Sequence, residues 1–553
     1  MREGIRLYTE LFLPESPKPH PTILTRSPYP FSRASRNGRI AIERLLQAGY
    51  AVVFQLTRGQ GSSEGEFQLL KNEGNDGYDT IQWIAEQPWC DGKVGMRGAS
   101  YLGSTQIQAA RAKPPALKCI APTAFVGNSV TCLPFSYGVP CKGSYMQWQT
   151  LLDAEDWADL EVDYGDVLGA LNHPKWGPAF RKRPLVDAAD EVLSGNKLQV
   201  WKDTISQPTE NEFWQDVHFT DQDLAELDLP IFFTDGWYDA TIGPIDFFAR
   251  MENNQVNHSD RYLLVGPWDH YQTGAPSKPG DDNGDRVLPD NGAIDHLDHL
   301  IAFYDRYLKD DKKAEIQSDR VRAYITGANR WLNLSTFPAP DTEFQPLYLH
   351  SAGDARGFPG DGELSFRAPD DEPSDRYTYD PDLPTPSLME TFTDRRDTEV
   401  RSDVLTYTSE PFTEPLTILG EITLVLHAAS SARDTDWFAL ITDVSPDGQS
   451  RSFHYAPPAF RARYREGMDK EVYLTPNKPE VFRIPMGPAG HQIGEGHRLR
   501  LSIFSAAFPE YDPNSNTGAP AATDMGKVVA EQTIYHDSLR PSHLILPVLK
   551  TFI

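Results

Sequence analysis

Apolar and polar positions change rhythm twice along the 553 residues. In the first quarter, short apolar runs alternate with segments of helical period. Residues 22–25 read as a strand. Residues 40–48 carry apolar side chains at helical spacing and stop at Gly49, a residue suited to closing a helix. Residues 51–56 are apolar apart from Gln55, which fits a strand buried on both faces. Residues 74–87 place Ile81, Trp83 and Ile84 on a helical pattern. Residues 94–96 form the next strand, 104–112 a helix and 119–125 another strand. Strand and helix in alternation predict a parallel sheet with helices on both faces.

From about 126 to 225 the strand runs disappear. Aromatic and acidic residues dominate, including Trp148, Asp153, Glu155, Asp156, Trp157, Asp159, Glu161 and Asp163, and the region reads as a helical insertion. Strands return at 230–233 and 262–265. An amphipathic helix follows, with Ile294, Leu297, Ile301, Tyr304 and Leu308 on one face. An α/β domain is therefore interrupted by a cap and completed after it. A Pro/Gly/Asp-rich stretch at about 336–390 marks a boundary, within which 346–350 reads as a first strand. Beyond it, short alternating runs recur at 416–419, 422–427, 437–442, 471–474, 480–484, 499–503 and 528–535, a pattern of β-sandwiches and jelly rolls.

Charge and composition narrow the class. A formal net charge of −27 argues against nucleic acid or anionic membrane as a partner. The four cysteines, Cys90, Cys119, Cys132 and Cys141, lack C-x-x-C spacing, so neither a zinc site nor a disulfide scaffold is expected. There is no apolar run of membrane-spanning length, and residues 1–6 lack the apolar core of a signal peptide. The expectation is a cytoplasmic enzyme with reduced thiols and no metal or cofactor. Self-association into a homo-oligomer stays open.

One segment carries candidate chemistry. Val94-Gly95-Met96-Arg97-Gly98-Ala99-Ser100-Tyr101-Leu102-Gly103 joins a strand to a helix through Gly-x-Ser-x-x-Gly. Such a turn lifts a serine clear of the backbone, with the helix N-terminus behind it. The competing reading is an ordinary glycine-rich turn, because the commoner elbow has its second glycine two residues after serine. A serine nucleophile needs a base, and the base an acid to orient it, in the chain order Ser, Asp or Glu, His for this fold class. His270 follows the strand at 262–265, at the sheet edge where open α/β folds place their sites. Asp235 and Asp239 follow the strand at 230–233, and spacing does not separate them. The backbone N–H of Tyr101 is one expected oxyanion donor. The loop Arg26-Ser27-Pro28-Tyr29-Pro30 has no glycine to expose a second backbone donor, which makes the Tyr29 hydroxyl the candidate against a plain packing role.

Taken together, these segments resemble the family of bacterial cocaine esterase, α-amino-acid ester hydrolases, cephalosporin acylases and X-prolyl dipeptidyl peptidases, over nearly the whole chain. The carriers are SPYPF, TRGQGSSEGEF, QPWCDGKVGMRGASYLGSTQ, GWYDATIGP and GPWDH, and further on DTDWFALITDVSPDG, GEGHRLRLSI and FPEYDPNSNTG. The elbow segment is most like the cocaine-esterase branch. The resemblance implies a discontinuous α/β-hydrolase domain (1–125 and 226–338), a helical cap (126–225) and a C-terminal jelly roll (339–553). It implies Ser100 as nucleophile, Asp239 as acid, His270 as base, and Tyr29 with the Tyr101 N–H as oxyanion hole. Two departures stand out. Leu56 replaces an acid, with an effect expected on loop anchoring near Arg58. Asp269 replaces a small residue, and a carboxylate there either raises the His270 pKa or faces solvent.

The expected activity is cleavage of a small-molecule ester or amide through an acyl-enzyme. Trp148, Trp157, Tyr238 and Trp437 are candidate pocket walls, each weighed against a core role. An alternative is a dipeptidyl peptidase, α-amino-acid ester hydrolase or acylase whose cap carboxylates bind a substrate ammonium. These acids read equally as a solvated face. A remoter alternative is a non-catalytic protein that binds ligands through the jelly roll.

Overall fold

The computed structural model describes residues 1–30, 35–152, 154, 160–162, 166–254, 260–274, 280, 282–283, 286–387, 393–454 and 459–550. Its first layer is a nine-stranded sheet. In chain order the strands are β1 (Thr9–Phe12), β2 (His20–Ser27), β3 (Ala51–Leu56), β4 (Cys90–Ala99) and β5 (Leu117–Thr123), then, after the hairpin β6 (Phe135–Ser136) and β7 (Val139–Pro140), β8 (Ile231–Tyr238) and β9 (Arg261–Asp269). Beyond the short β10 (Asp282–Asn283) and β11 (Arg286–Val287), β12 (Val321–Ile325) and β13 (Arg330–Leu334) finish it. The order is β1-β3-β2-β4-β5-β8-β9-β12-β13. From β3 to β12 every pairing is parallel, and both edges are antiparallel. The expected parallel sheet is thus the centre of a mixed one.

The central strands are buried on both faces, as the runs in 51–56 and 231–238 require. Helices α1 (Arg36–Gln47), α2 (Glu73–Ala85) and α3 (Tyr101–Arg111) connect the early strands. The cap contributes α4 (Lys142–Thr150), α5 (Val167–Ala170), α6 (Trp176–Arg181), α7 (Gly195–Ile205) and α8 (Asp221–Ala225). Then α9 (Gly243–Asn253) and α10 (His296–Leu308) return to the sheet. Of the α10 residues expected on one face, Leu297, Tyr304 and Leu308 are buried and Ile301 is half-buried. Arg58 is anchored by Asp76 at 2.8 Å and Glu3 at 2.6 Å, so the loop after Leu56 is tied down by two carboxylates.

The second layer is a β-domain of twelve strands around one apolar core. A 15-residue strand, Leu416–Ser430, pairs with Glu480–Ile493 along most of its length. The two layers meet where Thr326, just after β12, bonds to the backbone of Gly490 and Gln492. A Cβ on Gly490 would stand 2.5 Å from the Trp237 ring, so only glycine lets the β-domain close on the end of β8. All four cysteines are free thiols, and no group of metal-ligating side chains occurs among the described residues. No helix among them is long and apolar enough to cross a membrane.

Candidate active site

Ser100 stands between β4 and α3 with φ 61° and ψ −129°, a backbone conformation few non-glycine residues occupy. Its N–H donates to the Thr123 carbonyl on β5 at 3.0 Å, which pins the turn to the sheet. The two glycines have distinct reasons. A Cβ on Gly98 (φ +142°) would lie 2.4 Å from Leu102 Cβ, and one on Gly103 would lie 2.8 Å from the Thr123 carbonyl oxygen. The glycine three residues after serine is therefore the point where α3 rests on β5. Leu102 occupies the position the commoner elbow gives to glycine, and Gly98 makes room for it. At the start of α3, the first intrahelical bonds run from the Gly103 and Ser104 N–H groups to the Ser100 carbonyl, so the Tyr101 and Leu102 N–H groups precede them at the positive end of the helix dipole.

The ends of β8 and β9 supply the second part. His270 Nδ1 lies 2.9 Å from Asp239 Oδ1 and 3.1 Å from Oδ2. Asp239 is buried and is fixed further by the Thr241 N–H and hydroxyl, each donating at 2.8 Å. Burial pulls the His270 imidazole toward its neutral form, but the Asp239 carboxylate, and secondarily Asp269, outweigh this and raise its pKa above the usual 6.5. Asp269 does not face solvent: it is buried, accepts from the Tyr271 and Gln272 N–H groups at 2.9 Å each, and lies 3.6 Å from Arg286. The loop beyond His270 returns to the elbow, where a Cβ on Gly274 would lie 3.5 Å from Ala99 Cβ. Asp235 is fully buried and accepts from the Gly236 N–H. Burial, and then the charge of Asp239, push its pKa well up. Asp239, and not Asp235, is the carboxylate that meets His270.

Tyr29 is buried and touches both elbow and cap. Its hydroxyl accepts from Trp148 Nε1 at 2.7 Å, and the Ser100 hydroxyl is another hydrogen-bond partner. Burial pushes the phenol up to about 12 despite those two bonds, so it keeps its proton at neutral pH. The Tyr101 side chain turns inward, donating to Glu73 and accepting from the Leu70 N–H, which leaves its backbone at the elbow.

The candidate pocket aromatics separate. Trp148 lies at the site, on α4, with 7% exposure. Tyr238, next to Asp239 in sequence, has its ring under the Arg286 guanidinium at 4.4 Å and lines a separate cavity with Asp443, Phe453 and His491. Trp437 is a correction: it is fully buried in the β-domain core against Phe482, because its place on a central strand turns it inward. Trp157 falls outside the described residues, as do Asp153, Glu155, Asp156, Asp159 and Asp163. Glu161 pairs with Lys175 at 2.9 Å on the cap surface.

A cavity of about 190 Å³ lies behind Asp239, with walls from core, cap and β-domain that include Cys132, Tyr137, Trp237, Asp246, Met486 and Glu510. Trp148, Tyr238 and Trp437 are not among its walls. Burial raises Glu510 to about 7 against the hydrogen bonds it accepts from Ser144. Sequence reasoning missed these residues, since nothing local marks segments that converge only through the packing of three regions.

A sheet of this order, a serine at its strand–helix elbow and a His–Asp pair on two later strand ends define a hydrolase of the α/β-hydrolase fold. Comparison with known proteins agrees. Residues 3–272 match the family described as X-Pro dipeptidyl-peptidase (S15 family), and residues 314–545 match the X-Pro dipeptidyl-peptidase C-terminal non-catalytic domain. Cocaine esterase from Rhodococcus sp. (strain MB1 Bresler) is 32% identical over 588 aligned positions, covering 100% of this chain and 97% of that one. Among solved structures, an aminopeptidase from a Thaumarchaeota archaeon of marine sediment is 25% identical with a TM-score of 0.83, covering 100% of this chain and 95% of its own. An α-amino acid ester hydrolase is 27% identical with a TM-score of 0.82, covering 99% and 95%. The chain belongs to this S15 family and is a serine hydrolase of cocaine-esterase-like kind.

Proposed function

We propose that the protein cleaves carboxylic ester or amide bonds of small molecules through an acyl-enzyme on Ser100. Ser100 Oγ attacks the carbonyl carbon while His270 accepts its proton. Asp239 holds the imidazole in the tautomer that presents Nε2 to the serine and stabilises the imidazolium once formed. The tetrahedral oxyanion takes hydrogen bonds from the Tyr29 hydroxyl and the Tyr101 N–H. His270 then protonates the leaving group, and water, activated by the same imidazole, releases the acid. In this reading residues 1–125 and 226–338 form the catalytic domain, 126–225 the cap and 339–553 the β-domain.

The observation that carries the proposal is the His270–Asp239 pair at 2.9 Å, held on the sheet edge that also holds the strained Ser100. An ester is favoured over a peptide as substrate because the full-length relative at 32% identity is an esterase. A fluorophosphonate probe tests the nucleophile by intact-protein mass. We expect one adduct on the wild type and none on Ser100→Ala; equal labelling of both would sink the assignment. The aminopeptidase and amino-acid ester hydrolase neighbours support a second reading, in which the substrate bears a free α-amine. Comparing p-nitrophenyl acyl esters with α-amino-acid anilides separates the two.

A further inference from the structure

We infer that Trp148 is a positioning residue that aims the Tyr29 proton into the oxyanion hole, so that the cap completes a site otherwise built on the α/β core. The inference rests on the reading above, in which Tyr29 is an oxyanion donor. It follows from the direction of one hydrogen bond. Trp148 Nε1 stands 2.7 Å from the Tyr29 hydroxyl. An indole N–H donates and has no acceptor to offer. The phenol oxygen must therefore accept, and its own proton is left for another partner. The Ser100 hydroxyl is a polar neighbour of that phenol. The indole fixes the first donation, Trp148 to Tyr29, and an oxyanion at the serine site can take only the phenol's O–H. A donor into the phenol oxygen also polarises its O–H, which strengthens the bond it makes to a developing oxyanion.

The indole is itself held in place. Its ring lies between those of Tyr101 and Tyr145, with centroids at 6.2 and 5.7 Å and planes 18° and 14° apart. Tyr145 stacks in turn on Trp201 of α7 and shares a hydrogen bond with Thr204 at 2.8 Å. One cap side chain thus touches both tyrosines of the oxyanion site, Tyr29 by its N–H and Tyr101 by its face. A pocket wall would need only the ring; a positioning residue needs the N–H.

The test separates those two roles. Trp148→Phe keeps a stacked ring and removes the donor. With a p-nitrophenyl ester we expect kcat to fall about 3- to 10-fold, the value of one buried hydrogen bond, with KM within about twofold of wild type. In a Tyr29→Phe background, itself slowed about 10²–10³-fold, the same change should cost nothing further, since the proton it aims is gone. Should Trp148→Phe fold poorly, 3-benzothienylalanine at position 148 keeps the bicyclic shape without the N–H and should reproduce the loss. An unchanged kcat, an effect confined to KM, or an equal loss in both backgrounds would overturn the inference while the Ser100 assignment stands. If Tyr29→Phe alone leaves kcat unchanged, the oxyanion role of Tyr29 and this inference fall together, and the serine probe still reports on the nucleophile.

Discussion

At the scale of the residue, His270 shows how neighbours tune an imidazole. Burial favours the neutral ring, and two carboxylates overrule it. In the proposed role of base the ring must be neutral to accept a proton, so activity should fall as pH drops through this raised pKa. Asp269→Asn removes one of the two carboxylates and leaves Arg286 nearby as an unbalanced positive charge. Both changes disfavour imidazolium. The acidic limb of the kcat/KM profile should therefore move to lower pH, with the plateau little altered. A limb that stays in place or moves upward would show that Asp269 serves only to anchor its turn. That Asp239 rather than Asp235 reaches the imidazole follows from the chain's path after β8. Spacing left both open, the family resemblance favoured Asp239, and the bonds from Thr241 show what fixes it.

Elements were legible where burial leaves a periodic mark. Strand β3 has the limits its apolar run predicts, because both of its faces are covered. Edge strands left no such mark. Thr9–Phe12 is mostly half-exposed and owes its conformation to antiparallel pairing with β3. Two predicted strands, 416–419 and 422–427, are one. Gly420 (φ 135°) and Glu421 look like a turn in sequence, yet Leu416–Ser430 runs through them with only a register shift at Ile422/Thr423. Partner pairing on either side overrides the local signal. At 471–474 the error is opposite. The alternation is present, but the backbone bonds of Val472 and Leu474 go to Arg463 and Arg433 outside any strand. The elbow was legible because its two glycines answer to close contacts within a few residues or one strand away. The Trp148–Tyr29 bond, 119 residues apart in sequence, was not.

At the scale of the whole molecule, the cap and the β-domain are locked together by buried charge. Lys142 on α4 bonds to Asp512 of the β-domain at 2.8 Å, and Arg183 of the cap reaches the other carboxylate oxygen at 2.7 Å. Burial would push the Asp512 carboxyl up, but the two cations overrule it and hold its pKa below the usual carboxylate value. Its stabilising effect is therefore present above the unfolded pKa and is lost as pH falls through the lower folded one. Asp512→Ala would leave two cations facing each other with no counter-charge between them. We expect a loss of about 3–5 kcal/mol in urea unfolding, the cost of breaking a buried pair. A change below about 1 kcal/mol would mean that water reaches the site. Because α4 carries both Lys142 and Trp148, the same helix joins the β-domain to the Tyr29 hydroxyl.

The elbow conformation has a consequence for how this sequence persists through mutation. Ser100 is held at φ 61°, where glycine rests at ease and serine does not. A Ser100→Gly chain should shed about 1–3 kcal/mol of strain and melt at a higher temperature than the wild type, while losing the hydroxyl proposed as nucleophile. A lower melting temperature would show the conformation to be unstrained. Drift toward a sturdier molecule would therefore delete the hydroxyl first, and only a continuing demand for turnover keeps it in the lineage.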